Sequence, residues 1–337
     1  MHNHSSRVAS LLTVITLGTA IALSFERTPL QENEPPKTHW YKGNLHTHTN
    51  KSDGDETPEK VCEWFENHGY DFLVLSDHNH LTLLDYQYAG NSNLMMIPGE
   101  EVTAFASSNM APVHIGAIGI NKLVSPVVCE DVISTLQMNI DHILEAGGLA
   151  CINHPNYKWA FDHREMLATN GASLFEVYNA SRGCNNAGGK GKFSTSEMWD
   201  YMLSKKKVIY GAATDDSHDY QDFAPERHNP GRGWIMVRSE SDQQNSLMEN
   251  MKLGNFYSST GVYLNDMDVS NKHIKISISQ IDDFLYKTKL IGKNGKILKE
   301  ISGTTVVYSF EGNETYVRAE IIDSDGACAW TQPVFLS

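Results

Sequence analysis

The sequence has little that would let it grip a polyanion: 27 lysines and arginines stand against 41 aspartates and glutamates, a formal net charge of -14. That balance argues against broad contact with nucleic acid or an anionic lipid surface and leaves room only for a local basic pocket. Cysteine is scarce too. Cys62, Cys129, Cys151, Cys184 and Cys328 are scattered, odd in number and form no C-x-x-C pair. Neither a disulfide framework nor a thiolate zinc site is expected, and free thiols are. There is no internal repeat and no low-complexity tract of weight. With 40% apolar and 20% charged residues in 337, the chain is neither disordered nor fibrous and can form one large domain plus a small one.

The one long apolar run is N-terminal. Arg7 precedes Val8 to Leu23, interrupted by Ser10, Thr13, Thr16, Gly18 and Thr19. It is short for a membrane span and has the form of a signal-peptide core, with Ala20 and Ala22 offering a small-residue cleavage pattern. Residues 1–24 are read as a signal peptide or an uncleaved N-terminal anchor. Either reading exports the body of the protein, to the periplasm or the extracellular space. Membrane contact is expected only through this segment. The polar, Pro-rich stretch 25–38 reads as a linker.

From Trp40 to Tyr257, short apolar runs alternate with helical patterns. Thr57-Pro58 opens a helix, with Val61, Trp64 and Phe65 as its stripe and Gly69 as its stop. DFLVLS (71–76) is a compact buried strand, and MMIPGEEV, VHIGAIGI, LACIN, SLFEVYN and VIYGAATD are further strands. A helix is predicted over Val128–Ala146, and another from Ser194, where S-T-S-E suits a capping box. Such alternation implies an α/β protein with a mostly parallel sheet, open or closed. After Gly261 the pattern turns to strands, with Asn294-Gly295 a hairpin signal. Residues 39–261 are expected to form one domain and 262–337 a small antiparallel β-sandwich-like domain.

Chemistry gathers at the ends of these strands. His46-Thr47-His48 puts two imidazoles on one face of an extended chain. Asp53 follows in a turn, and Asp77-His78 follow the buried DFLVL run. Glu100-Glu101 end another run, His114 sits in VHIGAIGI, His154 follows LACIN, and Asp216 and His218 form a D-x-H pair. Each alone has a bland reading, as a loop residue or a satisfied core histidine. Six strand ends in a row carrying metal-ligand types is not a coincidence of composition.

These segments resemble the polymerase and histidinol phosphatase (PHP) superfamily. NLHTHTNKSDG, VLSDHNH, IPGEEVT, VHIGAIGI, CINHP, FEVYN and ATDDSH fall in the family's order, from Leu45 to about His218. GRGW (231–234) and AWTQP (329–333) look like features of exported members with an appended β domain. The resemblance implies a distorted (β/α)7, TIM-like barrel and two or three divalent ions. One would be held by His46, His48, Glu101 and Asp216, a second by Glu101, His114 and His154, a third by Asp53, His78 and His218. Glu101 fits the family's G-x-E spacing better than Glu100, and Asp216 its D-x-H spacing better than Asp215.

Imidazole and carboxylate donors without thiolate suit Zn, Mn or Fe. Two ions sharing a carboxylate lower the pKa of a water and neutralise charge on phosphoryl oxygens, which suits phosphoester hydrolysis. For the leaving group's proton, Asp77 is the first candidate, beside a metal-held water or Asp215; alternatively both acids orient a ligand imidazole. Arg182, Lys190, Lys192, Arg227 and Arg232 are candidate substrate contacts, with Arg232 first because a guanidinium fork fits a phosphate or carboxylate. The expected function is a metal-dependent phosphoesterase on a small phosphorylated substrate. The alternatives are a carboxyl- or carbamate-ester hydrolase on the same site, or an exported binding protein.

Overall fold

The computed structural model describes residues 37–84 and 93–336. The segment read as a signal peptide or anchor, with nearly all of the linker, lies outside the described residues. The described chain opens on β1 (His39–Asn44), α1 (Pro58–Asn67), β2 (Phe72–Leu73), β3 (Met95–Met96), β4 (Gly99–Ala106) and β5 (Ala111–Ile118). It continues with α2 (Val132–Glu145), β6 (Leu149–Ile152), α3 (His163–Ala168), β7 (Leu174–Asn179), α4 (Thr195–Ser204) and β8 (Tyr210–Thr214). Then come β9 (Trp234–Ser239), α5 (Gln244–Leu253), β10 (Phe256–Ser259), β11 (Leu264–Val269), β12 (His273–Ile278) and β13 (Tyr286–Gly292). The last strands are β14 (Lys296–Ser302), β15 (Thr305–Ser309), β16 (Tyr316–Asp323), β17 (Cys328–Thr331) and β18 (Val334–Phe335). The fold class is mixed α/β.

Local chemistry sets the helix ends. Thr57 caps α1 through the Lys60 N–H, with Pro58 at the first turn, and Val61, Cys62 and Phe65 are its buried stripe. Ser194 and Glu197 close a reciprocal capping box on α4. The second helix starts later than its apolar spacing suggested, at Val132 rather than Val128. Asp131 is the reason: its carboxylate accepts from the Ser134 N–H and hydroxyl. The Cys129 and Glu130 carbonyls are meanwhile taken by the Ser107 and Ser108 N–H groups.

Two large sheets follow. One runs β14-β13-β16-β17-β10-β9-β1-β2-β3, with β18 on β16, and the other β4-β5-β6-β7-β8. The mostly parallel sheet expected from the alternation is in fact mixed. The β1-β2-β3 and β6-β7-β8 neighbours are parallel. β5 is antiparallel to both β4 and β6, and β9 antiparallel to β1. The β4–β5 connection is only four residues, too short for a crossover, which forces the antiparallel pair. Between the sheets lies a core of Leu45, Phe72, Val74, Ile97, Ile118, Leu174, Ala212, Ile235 and Phe256, among others. Helices α2 to α4 cover the outer face of the five-stranded sheet through Leu136, Ile140, Met166, Trp199 and Met202.

The two sheets touch just past the carboxyl ends of β1, β2 and β8 and at the start of β4. Parallel bridges Thr47↔Ser217 and His78↔Glu101 join them there. No continuous ladder closes a ring among the described residues. These contacts draw the ends of β1, β2, β4, β5, β6 and β8 to one place.

The later strands fold back onto the first sheet. β10 pairs with β17, Ser258 opposite Trp330, so hydrogen bonding crosses the boundary expected at residue 261. A three-stranded sheet, β11-β12-β15, shares its core with β13 and β16 through Ile274, Ile276, Val306, Leu290 and Val317. Asn294 and Gly295, with φ 58 and 72, turn β13 into β14 as the dipeptide predicts. A buried ion pair ties β16 to α4: Arg318 Nε and Nη2 donate to the two Asp200 oxygens, each at 2.7 Å, and the Tyr316 hydroxyl adds a third bond at 2.8 Å. All five cysteines are free thiols.

Candidate metal centre

His46 and His48 lie on the extended chain just past β1, and alternation turns both inward while Thr47 makes the bridge to Ser217. His78 follows β2, Glu101 lies on β4, His114 on β5, His154 past β6, and Asp216 and His218 past β8. Asp216 holds a left-handed backbone, φ 50, and its N–H donates to the His46 carbonyl at 3.0 Å. Strained φ of this kind persists where the surroundings enforce it.

Glu101 is the hub, with no exposed surface. Its Oε1 stands 3.3 Å from His46 Nε2 and 3.2 Å from both His114 Nδ1 and His154 Nε2. Its Oε2 stands 2.9 Å from His78 Nδ1 and 3.7 Å from His48 Nε2. Asp216 Oδ1 lies 3.1 Å from His46 Nε2 and 3.2 Å from His48 Nε2. Asp53 reaches over from its turn, 3.4 Å from His218 Nε2 and 3.5 Å from His78 Nε2. All nine residues singled out as ligands meet in this one cluster. The groupings overlap more than the resemblance implied: His48 also stands with Asp53, His78 and His218, and His46 also with Glu101 and His154.

The donor set fits divalent cations. His46 Nε2, His48 Nε2, His114 Nδ1 and Glu101 Oε2 are buried without a hydrogen-bond partner, and all four face the cluster. Such orphaned atoms are costly unless something satisfies them. The gaps are telling as well: ligands ~2.1 Å from one ion at tetrahedral angles stand about 3.4 Å apart. Burial alone would raise the Glu101 carboxyl, but His46 and His114 hold it well below its usual range. Asp216 is likewise held ionised by His46 and His48 against its burial. Burial lowers the His48 imidazole to about 4, whereas Asp53 and Glu101 outweigh burial at His78 and raise it to about 10.

A carboxylate that motif reading passed over orients this cluster. Glu176, wholly buried on β7, accepts from His46 Nδ1 at 2.7 Å, the Thr214 hydroxyl at 2.5 Å, the His154 N–H at 2.7 Å and Asn179 Nδ2 at 2.8 Å. Four donors converging on two oxygens fix the His46 tautomer and point Nε2 at the cluster. The clue was a glutamate inside the apolar strand LFEVYN, a place where an acid survives only if fully bonded. Glu176→Gln sets an amide N–H against these donors. It is expected to weaken metal affinity about 10- to 100-fold, read by metal titration of the stripped protein.

The acid neighbours of the ligands point away. Asp77 is fully buried and its carboxylate is saturated: it accepts from the Thr49 N–H and hydroxyl, the Ser52 hydroxyl and the Thr82 hydroxyl at 2.6 to 2.8 Å. This corrects its assignment as proton donor, since it shapes the 49–53 turn and does not line the cavity. Asp215 accepts from the N–H groups of Gly231, Arg232 and Gly233 and from Asn44. It thereby folds GRGW against β8, where a Cβ on Gly233 would sit 2.5 Å from the Thr214 carbonyl. Arg232 is also misassigned as a substrate ligand. Its guanidinium donates to the Arg227 and Ala224 carbonyls and to Asn229 Oδ1.

Glu100 faces the opposite side of β4 from Glu101. Its Oε1 accepts from the Val124 N–H at 2.6 Å and its Oε2 is orphaned. Burial, opposed by the Val124 bond, raises this carboxyl from 4.5 to about 7. An acid whose pKa rises on folding favours the folded state only while protonated. The penalty is absent below about pH 4.5, grows to about pH 7 and is full above it. Glu100→Gln, which keeps an acceptor for Val124, is therefore expected to raise the thermal midpoint at pH 8 by several degrees and to change it little at pH 4.5. Equal shifts at both pH values would refute this.

The cluster floors a cavity of about 470 Å³, walled by Tyr157, Ser181, Arg182, Cys184, Asp219, Glu226, Arg227 and His228. Arg182 and Arg227 thus reach the site, while Lys190 and Lys192 lie exposed and outside it.

No family model and no curated protein sequence matches the chain. Solved structures do. A two-domain protein from Bacteroides vulgatus containing a predicted PHP-like metal-dependent phosphoesterase aligns over 88% of this chain and 96% of its own, with 14% identity and a TM-score of 0.50. An amidohydrolase from Chromobacterium violaceum aligns over 56% of this chain and 93% of its own, with 16% identity and a TM-score of 0.38. A lesion-specific endonuclease from Pyrococcus furiosus covers 65% and 57%, with 14% identity and a TM-score of 0.42. The first of these carries a conclusion, and it concerns fold alone: this chain shares the overall fold of that Bacteroides protein.

Proposed function

We propose that this protein is a metal-dependent hydrolase, and specifically a phosphoesterase acting on a small phosphorylated substrate. The observation that carries this reading is the convergence of nine imidazole and carboxylate side chains, four of their donor atoms buried and unpartnered, on the floor of one open cavity. A PHP-like fold supports it. His46, His48, Glu101 and Asp216 would hold one ion, Glu101, His114 and His154 a second, and Asp53, His78 and His218 a third, of zinc, manganese or iron. Bound there, such ions supply an activated water and positive charge opposite a phosphoryl group.

The chain's own residues do the rest. Glu176 and Asn153 hold His46 and Glu101 in register; Asn153 Nδ2 donates to Glu101 Oε1 at 2.8 Å. Asn179 keeps Asp216 in place at 3.2 Å. In this reading the two sheets form the wall of a distorted (β/α)7 barrel, touching through the bridges at Thr47 and His78. Residues 262–337 act as an appended β domain. The protein works outside the cytoplasm, meeting the membrane only through residues 1–24 and no nucleic acid.

The test is metal analysis of the protein as purified, followed by a panel of phosphate, carboxyl and carbamate esters with that metal. Two or three equivalents of metal and turnover confined to phosphate esters are expected. Turnover of the carboxyl or carbamate esters alone would overturn the phosphate assignment.

A further inference from the structure

Ser181, Arg182 and Cys184, at the start of the segment from Ala180 to Phe193, line the cavity, and asparagine side chains bolt that segment down. Asn156 Nδ2 donates to the Asn185 and Phe193 carbonyls at 3.0 and 2.9 Å, and Asn185 Nδ2 returns to the Asn156 and Gly183 carbonyls at 3.1 and 2.8 Å. Asn179 Oδ1 accepts from the Ser181 N–H at 2.8 Å, while its Nδ2 reaches Asp216. The backbone beside Arg182 is therefore tied, through one side chain, to a carboxylate of the cluster.

Among the described residues that line the cavity, Arg182 is the cation without an ion-pair partner. Arg227 is engaged, with Nε 2.9 Å from Asp222 and Nη1 3.8 Å from Asp219. Arg182 has no carboxylate partner within ion-pair distance among the described residues. Among the described residues its side-chain hydrogen bond is from Nη1 to the Glu226 carbonyl at 3.4 Å. Beside it, the Ser181 hydroxyl bonds His228 Nδ1. That bond sets the imidazole on the cavity wall and leaves Nε2 as the nitrogen free for a ligand. A sphere of the cavity's volume is about 10 Å across, so a group resting on the cluster lies within reach of a guanidinium on the rim.

We propose that Arg182, backed by His228, binds the non-bridging oxygens of the phosphoryl group and makes the cavity selective for terminal phosphate monoesters over diesters. The inference rests on the phosphoesterase reading. A monoester offers three free oxygens and nearly two charges, enough for both the cluster and a guanidinium fork; a diester offers two oxygens and one charge. Asp219 and Glu226 on the same wall oppose loose anion binding and leave the fork as the attractive element.

The experiment uses the metal-loaded full chain as wild type, Arg182→Gln, Arg182→Lys and Lys190→Gln. Inorganic phosphate is titrated by calorimetry. Steady-state rates are measured on an aryl phosphate monoester and on the diester of the same alcohol. Arg182→Gln should raise the phosphate Kd and the monoester KM about 10- to 100-fold, with kcat and diester KM moving far less and metal content unchanged. Arg182→Lys should recover only part, since an ammonium cannot fork. Lys190→Gln, on the same segment outside the cavity, should match wild type. Unchanged phosphate affinity in Arg182→Gln, no phosphate binding by wild type, or an equal loss in Lys190→Gln would each overturn the proposal. Absence of phosphoester turnover in wild type would instead overturn the phosphoesterase reading, so the two fail separately.

Discussion

Replacing Glu101 by alanine is expected to cut turnover about a thousandfold or more and to strip bound metal, with the fold retained by circular dichroism. The magnitude follows from position. Its two oxygens stand within 3.7 Å of five imidazoles, so one substitution removes a donor from every proposed ion position except that of Asp53 and His218. Groups that act as a unit lose nearly the whole effect when one goes. Chelation should mimic the variant in wild type and be reversed by added metal, whereas the variant should not respond. If Glu101→Ala kept its metal and lost less than tenfold in rate, the carboxylate would not be the hub described above.

The second large effect is on stability. Arg318 is 1% exposed and its guanidinium makes a two-pronged bond to Asp200 while lying 4.9 Å from the Trp199 ring centroid. Arg318→Ala leaves the Asp200 charge buried with Tyr316 as its remaining donor among the described residues. The expected cost is about 3–5 kcal/mol, or roughly 10 °C in the thermal midpoint of a chain this size. Replacing both partners, Asp200→Leu with Arg318→Met, should recover most of that, because the charge and its desolvation leave together. A single variant that melts with wild type would show that the pair contributes nothing to joining β16 to α4.

The site was legible in the sequence to the extent that strands alternate. His46 and His48, two apart, had to share a face, and they do. Adjacent pairs had to divide: Glu101 faces the cluster and Glu100 faces Val124, Asp216 faces the cluster and Asp215 faces GRGW. Asp77 beside His78 obeys the same rule, and naming it a proton donor on proximity in sequence overlooked it. Glu176 was passed over, and Arg232 misjudged, for another reason. Whether an acid in an apolar strand is bonded, or a guanidinium already spent on carbonyls, depends on partners 38 residues away or on the loop's own fold. In the fold, caps and most buried runs read directly into helices and strands, but DFLVLS pairs only at Phe72 and Leu73 and MMIPGEEV divides between β3 and β4. The antiparallel course of β5 did not, because pairing direction is decided by connection length and by neighbours distant in the chain.

The sheet order has a kinetic consequence. β1, the first described strand, pairs with β9, and β10 pairs with β17, near the end of the chain. Partners some 70 to 200 residues apart in sequence must find each other before either edge is covered. Chains dominated by such distant pairings pay their loop-closure entropy early, fold slowly and expose unpaired edges meanwhile. The ribosome must release the chain through β17 before this sheet can be completed. A nascent chain truncated before Cys328 would therefore present β10 as an open edge, the kind of surface on which aggregates start.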